Sequence, residues 1–148
     1  MADADRARWT VVAERIRAGL ATLAHLDATV APDLLVIAFS CGRDLTLATG
    51  YERAIGLENI AARLIEAGDG TYGIALPCRP EATDEEIRHV VLAGLKAAHA
   101  LEFVPITDPH VLEQLAAVRA VEACVVDLGR KVKGFGMGVR QRVGKVSW

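Results

Sequence analysis

The chain is poor in aromatic residues, with only seven among 148. A core without bulky rings must close by tight contact of small side chains, and 25 alanines supply them. Cysteine is scarce too. Cys41, Cys78 and Cys124 are far apart, and no CxxC or Cys/His cluster occurs, so no zinc site is signalled and no metal ligands are assigned. An odd thiol count fits a reducing compartment, and the charged start Met-Ala-Asp-Ala-Asp-Arg carries no leader-like apolar core, so a cytoplasmic location is expected. No apolar run approaches the roughly 20 residues of a membrane span, so no membrane partner is expected. Lysine is rare, at four against 13 arginines.

What the chain does have is an uneven charge pattern. The first 127 residues hold 11 basic and 19 acidic side chains. The rest hold six basic residues (Arg130, Lys131, Lys133, Arg140, Arg142 and Lys145) and no acidic one. A basic tail on an acidic body suits an acidic ligand, nucleic acid or a second copy of the same chain. With Phe135 the only aromatic inside the basic run, the interleaving that single-strand binding requires is thin.

The stretch from Tyr72 to Thr107 gives the strongest structural signal. It reads as a strand over 72–78, a loop, a helix over 84–101 and a strand over 103–107. Thr83 and Glu86 have capping-box spacing, and Asp84, Glu85 and Glu86 put negative charge at the positive end of the helix. Ile87, Val90, Val91, Gly94, Ala98 and Leu101 share one face. Helices are also expected over 4–26, over 52–67 and from Asp108, where Asp-Pro supplies an N-cap and an N1 proline. Strands are expected over 34–40 and 44–49 as a hairpin, over 121–128 and over 131–139, the last carrying Gly134, Gly136 and Gly138 on one face.

These elements predict a single-domain α/β sandwich over 1–148: a six-stranded, mostly parallel sheet with antiparallel edge hairpins, flanked by four helices. Parallel strands would end on one shared edge, where open α/β folds hold ligands. That edge would collect Tyr51, Arg53 and Arg79 to hold an anion, since guanidinium binds carboxylate or phosphate in a bidentate manner. Cys78 as a nucleophile and Asp108 with His110 as a base and its orienter are the candidates for chemistry. If 44–49 is not a strand, Ser40, Cys41 and Arg43 change edge.

Two functions remain open. One is a small protein, enzyme or not, that binds a small anionic metabolite without a cofactor. The other is a non-catalytic homo-oligomeric module that contacts nucleic acid or protein through its basic C-terminal segment.

Overall fold

The computed structural model describes residues 1–107 and 109–113. The chain divides into two compact units, Met1–Val104 and Pro105–Trp148.

The first unit opens with helix α1, Asp3–Gly19. Trp9, Val12, Ala13 and Ile16 form its buried stripe, at the spacing the sequence shows. Its last turn widens into a π-helical turn, Leu20–Ala24, closed by His25 in the left-handed conformation. Strand β1, Ala28–Ala31, pairs with β2, Val36–Ser40. Helix α2, Leu45–Gly56, follows, with Asp44 as N-cap accepting a hydrogen bond from the Leu47 N–H at 2.9 Å. Strands β3, Arg63–Glu66, and β4, Tyr72–Leu76, form the second hairpin. Helix α3, Asp84–Glu102, completes the unit. Its N-cap is Thr83, whose hydroxyl accepts from the Glu86 N–H at 3.1 Å.

The sheet corrects the sequence reading. Among the described residues it is four-stranded and antiparallel throughout, in the order β1-β2-β4-β3, not six-stranded and mostly parallel. Residues 44–49 begin a helix. Their Leu-Thr-Leu alternation mimics a strand, but the residues that become buried are Ala48, Tyr51, Ala54 and Ile55, at helical spacing. The segment expected as helix 52–67 therefore ends early, and Arg63–Glu66 is a strand. Residues 28–31 are a strand the sequence did not signal, and 103–107 are not one. The strands expected over 121–128 and 131–139 lie outside the described residues. In the second unit, residues 109–113 are helical, as the Asp-Pro start implies.

β2 and β3 both run antiparallel to β4, so they are parallel to each other with β4 between them. α2 is the crossover of this split unit. The registers Ala28↔Phe39, Phe39↔Ile74, Ile37↔Leu76 and Leu64↔Ile74 put these residues on one face. The helices cover that face. The Tyr51 ring meets Phe39 edge-on at 5.1 Å. α3 packs against α2 where Leu101 lies over Gly50, and against α1 where Val91 lies over Gly19. Gly94 is needed for close approach: a methyl there would stand 2.5 Å from Leu20 Cδ2.

The opposite face carries Thr29, Ala31, Val36, Ala38, Ser40, Arg63, Ile65, Gly73 and Ala75. All of these except Gly73 keep some solvent exposure. A shallow groove of about 200 Å³ crosses the strands on this face, between Thr29 and Ile65.

Candidate functional site

Where β4 ends, Pro77 has no N–H to extend the ladder and the chain turns toward α3. Cys78 follows. Its carbonyl accepts a hydrogen bond from Trp9 Nε1 at 3.1 Å, and its Sγ–H points at the Trp9 carbonyl at 3.8 Å. This reciprocal tie fastens α1 to the end of β4 across 69 residues of chain. A cavity of about 120 Å³ opens beside it, lined by Ile16, Pro77, Cys78, Arg79, Ala82, Glu86, Ile87 and Val90. Its lining is mostly apolar, with the Arg79–Glu86 ion pair at the mouth.

Burial pushes the Cys78 thiol up to about 11. A nucleophilic cysteine needs the reverse shift, so the expected role of this thiol lacks its physical basis at neutral pH. Arg79 stands where the sequence puts it, but its guanidinium is already paired with Glu86. The capping box is therefore half made: Thr83 caps the helix while the Glu86 carboxylate turns to Arg79. Glu81, Asp84 and Glu85 stand within six residues of Arg79 in sequence.

Tyr51 and Arg53 do not line this cavity. The antiparallel sheet removes the shared carboxyl edge that was to gather them. Tyr51 is only 1 % exposed. Its hydroxyl donates to the Glu102 carboxylate, and burial together with that bond raises its pKa. Arg53 lies exposed in the last turn of α2. His110 is exposed in the second unit, while Asp108 lies outside the described residues. The glycine-bearing and basic segments after residue 130 lie outside them as well.

A second group of ionisable side chains forms at the other end of the sheet. Ser40 pairs with Gly73 there, whereas Cys78 follows Leu76 at the Ile37 end. Cys41 is buried, and its thiol rises to about 11 through burial and the nearby Glu102 and Asp44 carboxylates. Tyr51 and Cys41 thus both hold their protons more tightly beside the Glu102 carboxylate. The residues that set both places, Trp9 and Glu102, were not legible as such: one reads as a core tryptophan and the other as the polar end of a helix.

No group of three or more histidine, cysteine or acidic residues placed to hold a metal occurs among the described residues. No described helix is long and apolar enough to cross a membrane. The chain matches no known family, no curated protein and no solved structure.

Proposed function

We propose that this chain is a non-catalytic, self-associating binding module. The sheet face that the described helices of the first unit leave open carries the reading. In an antiparallel sheet with helices on one side, the other side ordinarily alternates to polar residues to meet water. Here it presents Ala31, Val36, Ala38, Ala75 and Ile65, with Thr29, Ser40 and Arg63 its only polar side chains. Such a face suits protein contact better than solvation.

The metabolite reading has weaker support. An anion arriving at Arg79 must displace Glu86 and approach Glu81, and these like charges, only partly screened at physiological salt, oppose it. Thermal unfolding with millimolar acetate, butyrate, succinate and phosphate separates the two. The expected outcome is no rise in Tm beyond that of matched chloride. A rise with one of these anions that Arg79→Ala abolishes would restore the anion site. Sedimentation of the full chain from about 1 to 100 µM should show mass above the monomer, consistent with a Kd in the micromolar range.

A further inference from the structure

The cavity beside Cys78 lies where three elements meet: the loop after β4, the first turns of α3 and the last turns of α1. Ile16, Pro77, Ile87 and Val90 give it apolar walls. These walls are fastened to one another. The Trp9 indole N–H donates to the Cys78 carbonyl at 3.1 Å, and Arg15 pairs with Asp84 at 2.8 Å, so α1 is tied to both the loop and α3. A turn bond from the Ala82 N–H to the Arg79 carbonyl at 3.2 Å fixes the loop itself.

Size limits what enters. A cavity of about 120 Å³ is well below the roughly 300 Å³ at which sites for cofactors and drug-sized ligands begin. It is just under the roughly 150 Å³ of an apolar cavity that holds benzene. Nucleotides and sugars are too large, whereas a short branched hydrocarbon group is not.

Charge limits it further. Arg79 and Glu86 stand at the mouth with their side chains 59 % and 46 % exposed, so both are reachable from solvent. A lone anion approaching Arg79 meets Glu86 and Glu81, and a lone cation approaching Glu86 meets Arg79. A ligand with both charges on one carbon escapes both repulsions. It opens one ion pair, makes two and brings no net charge.

We propose that this cavity binds a small apolar α-amino acid, about the size of valine. Its carboxylate lies on Arg79, its ammonium on Glu86 and its side chain against Ile16, Ile87 and Val90. The site is independent of self-association, which engages the open sheet face. Ion pairs this exposed contribute little each, so a Kd of about 1 mM is expected.

Titration of the full chain with L-valine, followed by amide NMR, tests the proposal. Saturable shifts are expected at Cys78, Arg79, Ala82, Glu86 and Ile87. Isovalerate lacks the ammonium, isobutylamine the carboxylate and glycine the side chain, and each should bind roughly fivefold more weakly or worse. Arg79→Gln and Glu86→Gln, both at exposed positions, should keep the spectrum of the fold and weaken valine by a similar factor. Absence of saturable shifts, shifts confined to another part of the chain, or valine binding unchanged in both variants would overturn the site. Isovalerate binding as tightly as valine would overturn the zwitterion in favour of a plain anion.

Discussion

At the scale of the residue, the two described thiols are the clearest case of environment overriding type. Cys78 follows a strand and sits beside an arginine, a setting that reads as reactive in sequence. In the fold its sulfur lies against the Trp9 carbonyl and beside apolar side chains, which stabilise the neutral thiol. Cys41 is held neutral by burial and by two carboxylates. Both pKa values rise from 9 to about 11, so the folded state holds these protons more tightly than the unfolded chain. That contribution is complete below pH 9 and is lost as pH climbs from 9 through 11. Urea midpoints should accordingly fall across this interval, and fall less in a Cys41→Ser, Cys78→Ser double variant. Tyr51, whose pKa is also raised, steepens the loss in both proteins. Alkylation by iodoacetamide at pH 8 should be slow at both thiols until the chain unfolds. The sequence could not show this, because depth and neighbours, not the Cys78-Arg79 dipeptide, set the thiol's acidity.

At the scale of the element, local signals were legible wherever they were self-contained. Thr83 and the acidic first turn marked the start of α3, and the buried stripe of α1 followed its helical period. Removing a cap should show this directly. Thr83→Ala and Asp44→Ala are each expected to cost about 1 kcal/mol in urea unfolding, since each leaves one helix N–H without its acceptor. The signal failed between residues 44 and 66, where small and β-branched residues fit both periods. Asp44 decided the first part by capping α2. Residues 63–66 became a strand because Ile65 and Leu64 could pair with Gly73 and Ile74, a contact across sequence that no local window contains. Edge protection shows the same dependence. Glu52 on α2 accepts the outward Leu64 N–H at 2.6 Å, and so blocks one rim of the sheet from pairing further.

At the scale of the whole molecule, the governing fact is that the described helices of the first unit share one side of its sheet. Neighbouring residues on one strand then belong to different environments. Ile74→Ala, facing the helices, is expected to cost about 2–5 kcal/mol. Ala75→Lys, one residue on, facing outward and opposite Arg63, is expected to cost less than Ile74→Ala while weakening self-association through the face it lies on. Paired urea titrations of these two variants measure the asymmetry. The strand order was beyond reach of the sequence, because it depends on 44–49 being the start of a helix and on 63–66 being a strand, and neither shows in the local pattern. The π-helical turn at Leu20–Ala24 carries a consequence for everything after it. A turn of this kind accommodates one residue more than a regular helix would. Excising Thr22 would let the coil close its ordinary bonds to the residue four back, with the later positions keeping their phase. A single missing codon should therefore be tolerated better inside this turn than inside the regular turns of the helix from Asp3 to Gly19.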